Sequence, residues 1–309
     1  RHPPSSSEAG LAAYACAQAY HDIIPARLRE LVAWIESRTG SPIPHRIYVD
    51  TGPILERELG QRAGLGWIGK NTCLIHPRLG STFLLGEVLL ALQLPPDPPM
   101  DDEHCGTCTR CQIACPTGCI LPDRTIDAAR CLSYLTIELR AEIPPALRPR
   151  VGAWVFGCDV CQRVCPWNER FAASPPAGAW PARPDLAALT AHDLLQADSE
   201  QLRGWMRGTP LARARRRGLL RNAAVAAGNS GDRALTGSLA ARLADDDPGV
   251  RRHAAWALGQ LGGDAAQAAL AAAGACEVDP AVLDEIQRAE QQAASSASQG
   301  PRHKAIGPP

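Results

Sequence analysis

The sequence predicts an α+β chain in three parts: an α/β segment, a two-cluster ferredoxin-like module and a C-terminal HEAT-like α-solenoid. Three observations predict it. Two cysteine runs in the middle of the chain have iron–sulfur spacing. A strand–turn–helix pattern with a glycine-rich loop precedes them. An Ala-rich helical repeat follows them. The expected boundaries are 1–93, 94–180 and 181–286, with a polar, disordered tail at 287–309.

The bulk numbers set limits on this reading. The 309 residues are 45% hydrophobic, enough for real cores. Lys+Arg and Asp+Glu balance at 32 each, so no global basic field announces nucleic acid. Any such site must come from local clustering. Twelve cysteines bunched at x2 and x3 spacing read as metal binding in a reducing, cytoplasmic setting, not as disulfides. No apolar run is long enough for a membrane span, so no membrane partner is expected. The chain starts at Arg1 and reads as a fragment or a processed protein.

Residues 1–10 are polar and are expected to be disordered. From Leu11 to Thr39 the pattern is helical, with Leu28, Leu31, Val32 and Ile35 on one face, until Gly40 and Pro42 stop it. Cys16 and His21 on this stretch read as packing or surface residues. Ile47 to Val49 form a short strand that ends in Asp50, Thr51-Gly52-Pro53 make a turn, and Ile54 to Ala63 a helix. Asp50 has two readings: a turn-forming carboxylate, or a catalytic acid at the carboxyl end of a strand. GLGWIGKN, Gly64 to Asn71, resembles a phosphate or cofactor-tail loop without being a Walker motif. Leu84 to Leu92 reads as a buried strand and Cys73 as a core thiol.

A Pro- and acid-rich linker then leads to the first cysteine run, CGTCTRCQIACP from Cys105 to Pro116. The second, CDVCQRVCP, begins at Cys158. One run alone fits chance or zinc. Two runs that both end in Cys-Pro point to two [4Fe–4S] clusters. In two-cluster ferredoxins the last cysteine of each run crosses to the other cluster. That rule joins Cys105, Cys108 and Cys111 to Cys165, and leaves Cys115, Cys158 and Cys161 together. Their fourth partner is Cys119 or Cys131. Cys119 follows Cys115 closely, which favours Cys131.

Between residues 203 and 221 stand Arg203, Arg207, Arg213, Arg215, Arg216, Arg217 and Arg221, with no acidic residue. The segment is either a solvated helix face or a phosphate-binding patch. Residues 221–228 (RNAAVAAG) then match 252–259 (RHAAWALG) at an offset of 31. Asp245 to Pro248 form the turn between the copies of a short solenoid.

YVDTGPILERE, GLGWIGKN, CGTCTRCQIACPTGCI, RCLSYLTIELR, GCDVCQRVCPWN and TPLARARRRGLLRNAAVAAGN together resemble the epoxyqueuosine reductase family, from about Tyr14 to about Ala273. The resemblance implies that 1–93 is a truncated corrinoid-binding α/β domain. It also implies that electrons pass through two [4Fe–4S] clusters to cobalamin and reduce an epoxide on the wobble base of tRNA. Cys131 becomes the eighth ligand and Cys119 a buried, reduced spectator. Asp50 becomes the proton donor, expected to be buried beside the corrinoid. Lys70, Asn71, Ser133 and Tyr134 are expected near the corrinoid, and Arg213, Arg215, Arg216, Arg217 and Arg221 on the anticodon stem-loop. A low-potential donor such as a flavodoxin or ferredoxin, and a monomeric state, complete the expectation. The family has a segment before residue 1, so the chain reads as incomplete or as a truncated, weak cobalamin binder. Two alternatives remain: an electron-transfer and docking protein with no catalysis of its own, and a corrinoid-dependent enzyme like the reductive dehalogenases.

Overall fold

The computed structural model describes residues 9–170 and 180–297. It is α+β and mostly helical. Strands among the described residues occur only as two-stranded ladders. Two compact units interleave along the chain and do not follow its linear order. One takes in 17–127 and 159–182, the other 1–16, 128–158 and 183–309.

In the unit 17–127/159–182, the long helix is Tyr20–Thr39 and does not reach back to Leu11. It ends where Gly40 turns left-handed at φ 74° and donates its N–H to Glu36 O. Its buried side differs from the one expected. Val32 is buried, but Leu31 and Trp34 are 46% and 56% exposed. Ile24 and Leu28 press on Gly86, where a Cβ would come within 2.6 Å of Ile24 Cγ2. That contact sets the face by close approach to the backbone. Strand His45–Tyr48 pairs antiparallel with Glu87–Leu90, Tyr48 facing Glu87. The second strand is shorter than expected and Leu89 is exposed. Glu56–Arg62 forms the next helix.

The glycine loop is a hairpin. Trp67–Ile68 pairs with Leu74–Ile75. A Cβ at Gly66 would overlap the Ile75 carbonyl oxygen. The glycines therefore serve backbone packing.

In the other unit, Gly10–Leu11 pairs parallel with Trp154–Phe156. Helices Arg215–Ser230, Pro248–Leu261 and Pro280–Ala297 pack in succession. Thr236–Arg242 and Asp264–Gly274 are the partner helices that join them. The repeat's glycines explain its spacing. A Cβ at Gly228 would sit 2.8 Å from Ala257 Cα, and one at Gly259 would sit 2.8 Å from Ala289 Cα. Each copy thus seats the next helix against bare backbone.

The last helix continues to Ala297, into the segment expected to be a disordered tail. Val282, Ile286, Ala289 and Ala293 are buried at spacings of four, three and four, and this small apolar stripe keeps it folded. The rest of that tail, and the first eight residues, lie outside the described residues. No helix among the described residues is long and apolar enough to cross a membrane.

Candidate functional site

Four thiols from two distant parts of the sequence line one cavity in the unit 17–127/159–182. Cys105 and Cys108 come from the loop before the helix Arg110–Ala114, and Cys111 from that helix. Cys165 comes from the turn between the helices Val160–Arg163 and Pro166–Arg170. The cavity measures about 140 Å³. That is several times the ~30 Å³ a water occupies in the liquid. Lys70, Asn71, Ile75, His104 and Trp167 share its wall.

Side chains tie these loops down. Lys70 Nζ donates to Gly106 O at 2.6 Å and to Cys108 O at 3.0 Å. Cys105 N donates to Glu103 Oε1 at 2.8 Å, and Arg124 holds the other Glu103 oxygen at 2.8 Å. Asn168 accepts from Ser81 N at 2.6 Å and donates to Gln162 O at 2.7 Å, which fixes the turn that carries Cys165. Trp67 packs edge-on against His104 and Trp167, 4.7 Å between ring centres in both pairs.

The cavity disfavours free thiolates. Burial first, then the neighbouring Cys105, push the Cys111 thiol up. Burial does the same to Cys165. Thiols so placed ionise readily only when positive charge replaces the lost water. Among the described residues no three His, Cys, Asp or Glu side chains converge as a single metal ion requires. Four thiols around an open space are the ligand set that a [4Fe–4S] cluster takes.

Asp50 lies in the same unit, after the strand His45–Tyr48. Its φ is 60°, left-handed for a residue with a side chain. Asp tolerates this conformation better than most residues because its short polar group can bond locally. Tyr20 donates its hydroxyl to Asp50 Oδ2 at 2.7 Å, and His21 Nε2 stands 3.3 Å from the same oxygen. Residues on either side of Asp50, among them Tyr48, Val49, Thr51 and Pro53, line an open cleft of about 470 Å³ with His21, Pro25 and Arg29. The burial expected of Asp50 is not seen: its side chain is 58% exposed.

Comparisons with known proteins bear on this arrangement. Residues 104–168 match the model of a 4Fe-4S double cluster binding domain, and 210–289 match HEAT repeats. Residues 1–51, which include Tyr20, His21 and Asp50, match the model described as epoxyqueuosine reductase QueG, DUF1730. The epoxyqueuosine reductase of Xanthomonas campestris pv. campestris is 44% identical over 253 residues, covering 82% of this chain and 70% of the relative. The chain belongs to the epoxyqueuosine reductase family. A crystal structure of epoxyqueuosine reductase with an epoxyqueuosine-modified tRNA-Tyr stem loop superposes with a TM-score of 0.86 at 28% identity. It covers 95% of this chain and 78% of that one. The Bacillus subtilis epoxyqueuosine reductase, captured with its aspartate catalytic loop swung out of the active site, gives 0.82 at 27% identity, covering 94% and 77%.

For a member of the epoxyqueuosine reductase family, the remaining expected residues fall as follows. Cys115 caps the helix Arg110–Ala114. Its Sγ lies 3.4 Å from Cys119 Sγ and 3.6 Å from Thr117 Oγ1. Hydrogen bonding from Cys119 holds the Cys115 thiol below its ordinary range, against the opposing effect of burial. Cys161 lies in the helix Val160–Arg163. In the other unit, Cys158 follows the strand Trp154–Phe156, and Cys131 N donates to Ala128 O at 3.1 Å. Ser133 precedes a π-helical turn, Tyr134–Glu138, on which Tyr134 is partly exposed. Lys70 and Asn71, expected beside the corrinoid, lie on the four-thiol cavity.

The arginines require a correction. Arg221, expected on tRNA, is 1% exposed and cannot meet a phosphate. It donates to Leu135 O at 2.7 Å, Leu139 O at 2.9 Å and Ala141 O at 2.5 Å. Asn222 beside it donates to Thr136 O and Val155 O. A π-helical turn and its exit leave carbonyls without regular helical donors, and these two side chains supply them. Arg216 makes a two-pronged pair with Asp245, at 2.9 and 2.6 Å. Arg217 stands 3.2 Å from Asp247, and Arg213 bonds Glu138 at 2.9 Å. Arg215 is exposed.

The sequence reading missed Tyr20 and His21 as partners of Asp50. The only available signal was an adjacent Tyr-His at a helix start, thirty residues from the carboxylate it meets.

Proposed function

We propose that this chain reduces epoxyqueuosine to queuosine in the anticodon loop of tRNA. The reading that it only carries electrons, and the dehalogenase-like reading, lose their ground once the family is set. The observation that carries the proposal is Asp50: a carboxyl held by Tyr20 and His21, whose chain neighbours line a cleft, in the unit that carries the four-thiol cavity.

In the overall reaction an epoxide, two electrons and two protons give an alkene and water. Both C–O bonds break and the oxygen leaves protonated. Asp50 serves as the acid that delivers a proton to that oxygen. Tyr20 and His21 fix the direction of the carboxyl. Help of this kind is worth about 10²–10⁴ in rate. Bound by Cys105, Cys108, Cys111 and Cys165, a [4Fe–4S] cluster would supply electrons one at a time. Cys115, Cys131, Cys158 and Cys161 are proposed to hold a second. The cleft beside Asp50, at about 470 Å³, has the size of a ligand site. Its walls at Pro25, Ile47, Val49 and Pro53 suit the apolar face of a corrin. Bound cobalamin would supply reducing power at carbon. Ser133 and Tyr134 are proposed at the corrinoid and the exposed arginines at the tRNA backbone. The working setting is a cytoplasmic monomer with a flavodoxin- or ferredoxin-type donor.

Asp50→Asn keeps the size and removes the acid. It is expected to retain bound iron and stem-loop affinity and to lose about 10²–10⁴ in turnover. Full turnover of an epoxyqueuosine stem-loop by this variant would sink the assignment.

A further inference from the structure

Asn71 is 4% exposed and lines the four-thiol cavity. Its amide orientation is settled by chemistry. Cys73 N–H donates to Asn71 Oδ1 at 3.3 Å, and only the oxygen of an amide can accept. The NH₂ group therefore points elsewhere, and Nδ2 has no hydrogen-bond partner among the described residues. A buried donor left unmade is a rare and costly feature that calls for an acceptor. The other polar side chain of this loop at the cavity, Lys70, is tied to protein: its Nζ is spent on Gly106 O and Cys108 O. Beside the His104 ring and the apolar wall, the cavity offers four sulfurs, from Cys105, Cys108, Cys111 and Cys165.

We infer that Asn71 donates an N–H···S hydrogen bond to the iron–sulfur cluster held by these four cysteines, and so sets its reduction potential. The inference rests on the cluster reading of the cavity. Reduction adds negative charge to the cluster, and a hydrogen bond to its sulfurs stabilises the reduced form more than the oxidised one. Asn71 therefore raises the midpoint potential. The Lys70 ammonium, fixed on the same wall, acts in the same direction through its charge. Asn71 touches the electron carrier and nothing of the substrate, so its effect is on electron supply.

The test is an EPR-monitored redox titration of the full chain reconstituted with iron and sulfide. Asn71→Asp keeps the acceptor for Cys73 N and removes the donor. It is expected to lower one of the two midpoints so that reduction becomes at least tenfold less favourable, about 59 mV for a one-electron couple, with iron content unchanged. Asn71→Ala removes the donor without adding charge and is expected to shift the same midpoint in the same direction. Unchanged midpoints in an iron-replete variant overturn the inference. A second measurement needs no variant. Wild-type protein carrying ¹⁵N in its asparagine side chains is expected to show nitrogen hyperfine coupling to the reduced cluster, lost in Asn71→Ala; no coupling overturns the inference. Failure of the cluster reading itself looks different: Cys165→Ser would then bind as much iron as the wild type.

Discussion

Two carboxyls near the cleft show how one residue type is put to different uses. Asp50 is partly exposed and held by Tyr20 and His21. Glu87, across the ladder from Tyr48, has a buried Oε2 with no hydrogen-bond partner among the described residues. Burial, then the charge of Glu56, push Glu87 up to about 7 from its ordinary 4.5. Between those two values the folded chain binds more protons than the unfolded chain. Stability therefore falls as pH rises through that window and levels off above it. Solvent around this part-exposed side chain trims the effect to about 1 kcal/mol. Glu87→Gln is expected to raise the thermal midpoint by roughly 2–4 °C at pH 8 and to leave it nearly unchanged at pH 5. Equal gains at both pH values would show that the side chain acts by shape and not by charge. At this scale the sequence was partly legible. A strand-end Asp before Gly-Pro marked Asp50, because turn chemistry is local. Its partners were not legible, because Tyr20 lies thirty residues away. Asn71 was singled out for its glycine loop, but the loop's packing on Ile75 places it at the thiols.

The Arg-rich element separates in the same way. Seven arginines in sequence look like one patch, and helical periodicity divides them. The helix Arg215–Ser230 turns Arg221 inward onto the π-helical turn, and it sets Arg216 and Arg217 against Asp245 and Asp247. Those acids come from the turn before the next repeat, so the charge balance was invisible in the segment alone. Arg213 and Arg215 remain at the surface, Arg213 shared with Glu138. Phosphate contacts release counterions, and each lost contact should flatten the slope of log affinity against log salt by about 0.7–0.9. Arg215→Ala is expected to do so in a titration of the stem-loop, and to weaken binding without regard to sequence. Arg213→Ala is expected to do less, since a phosphate must compete there with Glu138. Arg221→Ala should leave the slope alone and instead destabilise the fold by about 3 kcal/mol or more, because buried carbonyls lose their donors. A flattened slope in Arg221→Ala, or an unchanged one in Arg215→Ala, would overturn this division. The repeat was legible because its glycines recur. The helix beyond residue 286 was not, because an Ala/Gln composition mimics a tail until a partner covers its small face.

At the scale of the whole molecule the two cysteine runs behave as halves of one device. Cys165 comes from the second run and lines the cavity of Cys105, Cys108 and Cys111, while Cys115, in the same run as those three, faces Cys119. A run of cysteines is therefore not a site, and on the proposed ligand sets the chain must fold before either cluster has four ligands. That has a measurable consequence. If each run held its own cluster, losing Cys165 would damage only the partners of Cys158 and Cys161. With the runs crossed, Cys165→Ser and Cys108→Ser strike the same cluster, and Cys115→Ser strikes the other. Each single variant is expected to lower bound iron from about eight to about four atoms per chain. The pairs distinguish the arrangements. Cys108→Ser with Cys165→Ser should still hold about four, and Cys108→Ser with Cys115→Ser should hold close to none. The opposite order of those two double variants would mean uncrossed runs, and Asn71 would then face a cluster missing one of the thiols that line its cavity.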